Sequence, residues 1–177
     1  TMNIDINDLK LKMNKKTKAI MCIHVLGTST NMNILMKIVK RNKLILIEDT
    51  CESLGAKFNK KYLGTFGRFG TFSFYYSHQI TSGEGGMAVC NDEHDYNLLK
   101  SMRSHGWSRD TNLHKKLSKK YKTIDNRFLF ISPGYNLRPT DIQAAIAANQ
   151  FKRLKNFMKI RNYNRNKIIQ NLKKHPN

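Results

Sequence analysis

Long hydrophobic runs are absent from this sequence, and cysteines are few. No apolar run approaches the roughly 20 residues that a membrane-spanning helix needs, and the first thirty residues lack the basic, apolar and small-residue order of a secretory signal. The three cysteines, Cys22, Cys51 and Cys90, are odd in number and lie within apolar runs, which favours reduced thiols over a disulfide framework. These absences predict a cytoplasmic protein without a membrane span.

Acidic residues are also scarce. The 177-residue chain has 12 Asp and Glu against 32 Lys and Arg, a formal net charge of +20. Such an excess is typical of proteins that bind nucleic acid, acidic lipid or a phosphorylated ligand. The basic residues are spread along the chain, however, and only residues 115–122 form a local run. We therefore favour solvated basic faces, and keep nucleic-acid binding as the alternative that the charge allows.

Hydrophobic residues make up 40% of the chain, which predicts a folded domain with a core. Residues 18–26 and 44–48 are apolar runs of strand length, and residues 31–41 between them carry apolar side chains at helical spacing. Further strands are predicted at 70–76 and 87–90, and a helix at 92–105. Apolar strands joined by a helix are typical of a parallel α/β sheet with both faces covered.

The last part of the chain has a helical pattern. Thr140 precedes Gln143 by three residues, the spacing of a capping box, so we predict a helix over 142–154 and a second, basic helix over 157–174. The predicted buried stripe of the second helix is Phe157, Ile160, Ile168 and Leu172. The chain starts without an obvious first element and ends just after a helix, so we interpret it as the middle of a longer protein.

Two carboxylates follow a buried strand. Glu48 and Asp49 end the second apolar run, and the carboxyl ends of parallel strands are where open α/β sheets bind ligands. A carboxylate buried there needs a cation or hydrogen-bond donors. From the residues alone, Asp49 either pairs with a protonated ring nitrogen of a ligand, with Glu52 one turn further on, or caps a helix that begins near Thr50.

Hydroxyl groups, a histidine and glycines follow the predicted third strand. Ser73 and His78 precede three glycines within residues 83–86. Serine hydroxyls and free backbone N–H groups bind phosphate, and a histidine moves a proton near neutral pH. A Gly-rich turn with a solvated histidine would give the same pattern. A third polar segment, before the capped helix, offers Asn136 and Arg138 either as ligand contacts or as surface residues.

Together and in this order, these segments resemble the DegT-type sugar-nucleotide aminotransferases, a family of fold type I enzymes that use pyridoxal phosphate. The similarity covers residues 17–166 and rests on the segments TKAI, HVLG, IEDTCESLGA, GTFGRFGTFSFYYSHQITSGEGGMAVCND, MRSHGW and GYNLRPTDIQAAIAANQ. It implies an α/β fold: the central part of a fold type I large domain, with a mixed, mostly parallel sheet flanked by helices and followed by long helices. Residues 1–155 would be an incomplete large domain, and residues 156–177 a basic helix leading toward a small C-terminal domain.

The resemblance also implies a role for each site residue. Asp49 would pair with the pyridine nitrogen of the cofactor and keep it protonated. Glu52 would contact the cofactor ring or its hydroxyl, and Ser73 would bind the cofactor phosphate. Asn136 would reach the phosphate bound by a neighbouring subunit of a homodimer, and Arg138 would help at the same site as a substrate contact.

One position departs from the aminotransferase pattern. Aminotransferases of the family carry, five residues after the serine, the lysine that binds the cofactor covalently; this sequence has His78 there, and imidazole cannot form that bond. Within the family this histidine marks the sugar 3-dehydratases, such as the GDP-4-keto-6-deoxymannose 3-dehydratase branch. There, pyridoxamine phosphate condenses with a nucleotide-linked 4-keto-6-deoxy sugar, an amino donor such as glutamate is used, and His78 would abstract a proton and help expel the C3 hydroxyl.

We therefore predict a 3-dehydratase of deoxysugar biosynthesis, of the kind that supplies lipopolysaccharide-type glycans. Two alternatives stay open: an aminotransferase-like protein of the same family, and a degenerate basic protein that binds nucleic acid or a protein partner. Because family members are much longer, the chain alone is also compatible with an inactive fragment. Three scattered cysteines do not supply the four ligands of an iron–sulfur cluster, and no metal site is predicted.

Overall fold

The computed structural model of the chain describes residues 2–174, in which short strands alternate with helices. The helices are α1 (Ile6–Lys12), α2 (Met32–Arg41), α3 (Glu93–Met102), α4 (His114–Lys120) and α5 (Asp141–Leu172). The strands are β1 (Ala19–Ile23), β2 (Ile45–Asp49), β3 (Lys57–Phe58), β4 (Lys61–Tyr62), β5 (Phe69–Ser73) and β6 (Gly86–Cys90). No helix in the described range is both long enough and apolar enough to cross a bilayer.

The central sheet has the strand order β1-β2-β5-β6. β1 pairs with β2 and β2 with β5 in parallel, while β6 runs antiparallel to β5. α2 forms the crossover between β1 and β2, because parallel neighbours cannot be joined by a tight turn. The prediction of a mixed, mostly parallel sheet flanked by helices is confirmed.

The core lies between one face of this sheet and α2. Alternate residues of β1 and β2 point to that face, where Ile20 is in register with Leu46 and Cys22 with Glu48. The buried residues of α2 in the same cluster are Met32, Leu35 and Val39. Burial of this apolar surface, at roughly 25 cal/mol per Å², holds the carboxyl ends of the parallel strands at one edge.

The opposite face of β1 is open, contrary to the prediction that both faces are covered. Met21 and Ile23 on that face are exposed. The described helices pack elsewhere, with α2 on the core face and α3 beside β6. The apolar run of β1 therefore forms a strand with one covered face, and no helix within residues 2–174 covers its other face.

α5 is one continuous helix where the sequence pattern predicted two. Its 32 residues include no glycine or proline, so nothing between residues 154 and 157 stops helix propagation. At 1.5 Å per residue the helix is about 48 Å long, whereas the five-residue strands are about 17 Å long. The prediction of a buried stripe is wrong, because Ile160, Ile168 and Leu172 are exposed.

The start of α5 follows the prediction. The side chain of Thr140 accepts from the backbone N–H of Gln143, and the Gln143 side chain accepts from the backbone N–H of Thr140, which together form the capping box. The domain boundary predicted after residue 155 falls inside the helix. The division into 1–155 and 156–177 stays a prediction, and residues 175–177 lie outside the described range.

Candidate functional site

The carboxyl ends of β2 and β5 bring two predicted site residues to one edge of the sheet. Asp49 ends β2 and Ser73 ends β5, and Asp49 is in parallel register with Thr71. Because side chains alternate along a strand, Thr71 and Ser73 share a face with Asp49. Oδ1 of Asp49 accepts from the backbone N–H of Cys51 at 3.0 Å, and no ion pair of the described residues includes Asp49. Its carboxylate is therefore available to a cationic ligand group.

The thiol of Cys51 lies beside this carboxylate. Burial raises the pKa of Cys51 to about 11, and the hydrogen bond and negative charge of Asp49 act in the same direction. Burial, with the charge of Glu48, raises the pKa of Cys22 to about 12. Because the thiolate is the reactive form, both cysteines are poor nucleophiles at neutral pH.

Alkylation with iodoacetamide at pH 8 is expected to modify Cys90 at least about 10-fold faster than Cys51 or Cys22, whose thiols stay mostly protonated at this pH. Peptide mass spectrometry over time gives the three rates. Asp49→Asn is expected to speed the modification of Cys51 and to leave Cys22 unchanged, because it removes the charge beside one thiol only. Equal rates at Cys51 and Cys90 in the folded chain would contradict this arrangement.

The loop that leaves β5 carries the Ser73 hydroxyl and the His78 imidazole. Oγ of Ser73 accepts from the backbone N–H of Tyr75 at 3.2 Å, which leaves its own O–H free to donate to a ligand. The backbone N–H of His78 donates to the Tyr75 carbonyl at 3.2 Å, and the two rings stand edge to face with centroids 6.0 Å apart. The imidazole has no hydrogen bond within the described part of the chain, so it is available for proton transfer.

Glu52 joins the loops that follow β1, β2 and β5. Its Oε2 accepts from the backbone N–H of Leu26 at 3.0 Å, and its backbone carbonyl accepts from the side-chain amide of Gln79. Gln79 adjoins His78, so the loop after β2 is fastened next to the imidazole. Glu52, His78 and Gln79 line part of a groove of about 1530 Å³ that extends along α5.

Four of the six predicted site residues thus lie at one edge of the sheet. Glu52 and His78 line the groove, whereas Asp49 and Ser73 do not. The other two, Asn136 and Arg138, lie on an exposed segment before α5. Asn136 pairs with Ser104 through the backbone, and no hydrogen bond or ion pair within residues 2–174 joins these two side chains to the first four. Their role at a neighbouring subunit's site stays a prediction.

Glu48, the other carboxylate at the end of β2, faces the core. It is fully buried, and it accepts from the backbone N–H groups of Gly64, Phe66 and Gly67 at 2.6, 2.6 and 2.7 Å. Nε2 of His24 lies 3.2 Å from its Oε1. Burial by itself would raise the pKa of Glu48, but His24 and the three N–H groups outweigh it, and the pKa lies below its ordinary value. Glu48 is therefore a structural anion that fastens residues 64–67 to β2.

Comparison with known proteins gives one family throughout. The sequence model of the DegT/DnrJ/EryC1/StrS aminotransferase family matches residues 1–177. GDP-4-keto-6-deoxy-D-mannose 3-dehydratase of Escherichia coli O55:H7 is 42% identical over 178 residues, covering 99% of this chain and 46% of that protein. GDP-perosamine synthase of Escherichia coli O157:H7 is 34% identical over 158 residues, covering 89% of this chain and 39% of that protein.

Solved structures agree with the sequence matches. The structure of the E. coli GDP-4-keto-6-deoxy-D-mannose-3-dehydratase with bound hydrated PLP superposes with a TM-score of 0.90 at 41% identity, covering 99% of this chain and 46% of that one. Helicobacter pylori PseC, an aminotransferase of pseudoaminic acid biosynthesis, gives a TM-score of 0.73 at 29% identity, covering 86% and 38%. The chain spans less than half the length of these relatives.

Proposed function

The chain belongs to the DegT/DnrJ/EryC1/StrS aminotransferase family, and from this premise we propose that it forms part of a pyridoxamine-phosphate-dependent sugar-nucleotide 3-dehydratase. The proposed substrate is a nucleotide-linked 4-keto-6-deoxy sugar, with glutamate as the amino donor. The observation that carries the proposal is His78, at the fifth position after Ser73. Identity to two GDP-4-keto-6-deoxy-D-mannose 3-dehydratases, 42% and 36%, supports it against the 34% shared with a GDP-perosamine synthase.

The residues at the strand ends fit a phosphorylated pyridine cofactor. Asp49 is a carboxylate without a cationic partner in the described residues, and a protonated ring nitrogen would satisfy it. Ser73 has a hydroxyl proton free for a phosphate oxygen, and Glu52 is held close to His78 through Gln79. When bound as pyridoxamine phosphate, the cofactor supplies an amine that condenses with the 4-keto group and a ring that accepts electrons.

His78 is the proposed proton carrier of the reaction. Its imidazole has no competing hydrogen bond within residues 2–174, and histidine side chains exchange protons near neutral pH. In the proposed step the imidazole would take the proton from the cofactor carbon that carries the amine and would return it to the C3 hydroxyl. The electron pair left by that C–H bond would allow the C3–O bond to break, so that the hydroxyl leaves as water. Asp49 would pair with the positive ring nitrogen and keep it protonated, so that the ring can accept an electron pair.

The proposed assembly is a homodimer in the cytoplasm. Asn136 and Arg138 are exposed and form no hydrogen bond or ion pair with the strand-end residues of their own chain within the described range. In a dimer, Asn136 would contact the cofactor phosphate of the neighbouring subunit and Arg138 would contact the substrate. Their exposure supports this assignment, because a residue that acts on a neighbouring copy must reach the surface of its own.

The test is to incubate the complete polypeptide that contains this chain with pyridoxamine phosphate, glutamate and GDP- or dTDP-linked 4-keto-6-deoxy sugars. Mass spectrometry is expected to show a product that has lost the C3 oxygen. A product with an amino group in place of the 4-keto oxygen would favour the second candidate, an aminotransferase, which the identity to GDP-perosamine synthase supports. Absence of both products, with no cofactor retained on gel filtration, overturns both functions.

A further inference from the structure

Residues 74–82 form the loop that carries His78, and its base is closed by the backbone. The N–H of Ser82 donates to the carbonyl of Phe74 at 2.9 Å. The side chain of Ile80, only 2% exposed, anchors the loop from inside, but burial of an apolar side chain is not directional. These contacts hold the loop on the molecule and leave the direction of its middle part to polar side chains.

One hydrogen bond joins the middle of this loop to another segment. The side-chain amide of Gln79, next to His78, donates to the backbone carbonyl of Glu52. In the described part of the chain, no other hydrogen bond joins residues 75–81 to a residue outside the segment 73–85. Gln79 therefore sets where the backbone beside the imidazole lies relative to the carboxyl end of β2.

The carbonyl that accepts this bond belongs to a turn that is itself fastened. Oε2 of Glu52 accepts from the backbone N–H of Leu26 at 3.0 Å. Oγ of the neighbouring Ser53 accepts from the N–H of Gly27 at 3.2 Å and donates to the carbonyl of His24. The turn after β1 and the turn after β2 are thus bonded to each other at three points. The amide of Gln79 adds the histidine loop to this unit.

The second polar atom of the Gln79 amide has no partner. Oε1 is buried and accepts no hydrogen bond within the described residues, and a buried acceptor without a donor destabilises the folded state. Reversing the amide would not help, because Oε1 would then face the carbonyl oxygen of Glu52. An apolar side chain of the same length would avoid the unpaired oxygen. Glutamine is therefore suited to this position by its N–H donor and not by its contribution to stability.

We propose that Gln79 is the positioning residue of His78, because its amide fixes the backbone on which the imidazole stands. The proposal rests on the proposed function in one respect, that His78 carries the proton. Proton transfer requires donor and acceptor at hydrogen-bond distance, and a displacement of about 1 Å costs about 100-fold in rate. Gln79 acts on the reaction through His78 and not by contact with the reacting atoms.

The experiment compares Gln79→Met with the unmodified protein, each in the complete polypeptide that contains this chain. Methionine keeps the length of the side chain and removes the N–H donor. We expect kcat for dehydration to fall by about 10- to 100-fold and KM to stay within about 3-fold. The thermal midpoint is expected to change by less than about 1 °C, since the unpaired Oε1 is lost together with the bond and the exposed Glu52 can bond to water. A lower midpoint with unchanged kcat would make Gln79 merely structural and overturn the proposal.

Gln143→Met is the matched control. The side-chain amide of Gln143 donates to the backbone carbonyl of Glu84 at 2.9 Å, so the variant removes the same kind of bond from the same connection, further from the imidazole. Because Gln143 also belongs to the capping box of α5, the thermal midpoint is expected to fall by about 2–4 °C, with kcat within about 3-fold. An equal loss of kcat in both variants would overturn the specific role of Gln79.

A measurement without turnover separates this proposal from the proposed function. Hydrogen–deuterium exchange of the peptide that covers residues 75–82 is expected to be about 10-fold faster in Gln79→Met and unchanged in Gln143→Met. If this difference is found in a polypeptide without dehydratase activity, only the proposed function is overturned. If the polypeptide is an active dehydratase and Gln79→Met alters neither kcat nor the exchange rate, only the positioning role is overturned. Either value alone remaining unchanged in an active enzyme also overturns that role.

Discussion

His78→Asn is expected to lower kcat for dehydration by about 10²- to 10⁴-fold, the usual contribution of a general acid–base group. Asparagine keeps the polarity and approximate size of the side chain but cannot carry a proton between the reacting atoms. Because Asp49 and Ser73 are untouched, cofactor uptake is expected to stay within about 3-fold of the unmodified protein. Steady-state kinetics of the complete polypeptide and equilibrium dialysis of pyridoxamine phosphate give the two values.

The matched control is His94→Asn. His94 is exposed on α3, so the same chemical change there is expected to leave kcat unaltered. His78→Lys gives a second readout: the new amine is expected to bind pyridoxal phosphate covalently, so that borohydride reduction leaves the cofactor attached to the peptide that contains the substitution. If His78→Asn catalyses dehydration at the rate of the unmodified protein, His78 does not transfer the proton, whether or not cofactor uptake changes.

The parallel part of the sheet could be predicted from sequence because it leaves a strong pattern. Apolar runs at β1 and β2 and a helical face at α2 were enough to place the crossover unit. The β3–β4 hairpin has strands of two residues and leaves no such pattern; it depends on Asn59 and Lys60, which both adopt positive φ (47° and 67°). Single-residue conformations of this kind are decided by packing.

The candidate site could be predicted only where it follows from strand ends. Asp49 and Ser73 lie at one edge because parallel strands end together, which the apolar runs already imply. The orientation of Glu48 and Asp49 could not be predicted. Successive side chains of a strand face opposite sides of the sheet, but this rule does not say which of the two faces the core. Contacts between distant segments, such as Gln79 with Glu52 and Arg138 with Trp107, depend on tertiary structure. Gly64 and Gly67 are the sequence feature that could have indicated the loop whose backbone N–H groups bind the Glu48 carboxylate.

Glu48→Gln is expected to lower the free energy of unfolding by about 3 kcal/mol or more, because it removes one member of a buried charged network. The amide has the shape of the carboxylate, but its NH₂ group is a donor where the carboxylate has an acceptor. In one orientation it faces the backbone N–H of Gly64, and in the other it faces those of Phe66 and Gly67. Urea unfolding at pH 7 measures the loss. Glu84→Gln makes the same change on an exposed side chain and is expected to alter stability by less than about 0.5 kcal/mol.

The pKa shift of Glu48 determines whether the free energy of unfolding rises or falls with pH. The pKa of Glu48 is lowered in the folded chain, whereas in the unfolded chain it is about 4.3, so the unfolded state binds more protons over this range and stability rises with pH. The contribution of Glu48 is fully present above about pH 4.3 and is lost as the pH falls through the folded value. The free energy of unfolding is therefore expected to fall more steeply in acid for the unmodified chain than for Glu48→Gln, and the two curves are expected to converge. A gap between the curves that stays constant down to acid pH would mean that the pKa of Glu48 is the same in the folded and the unfolded chain, so that His24 and the loop at residues 64–67 would not stabilise its ionised form.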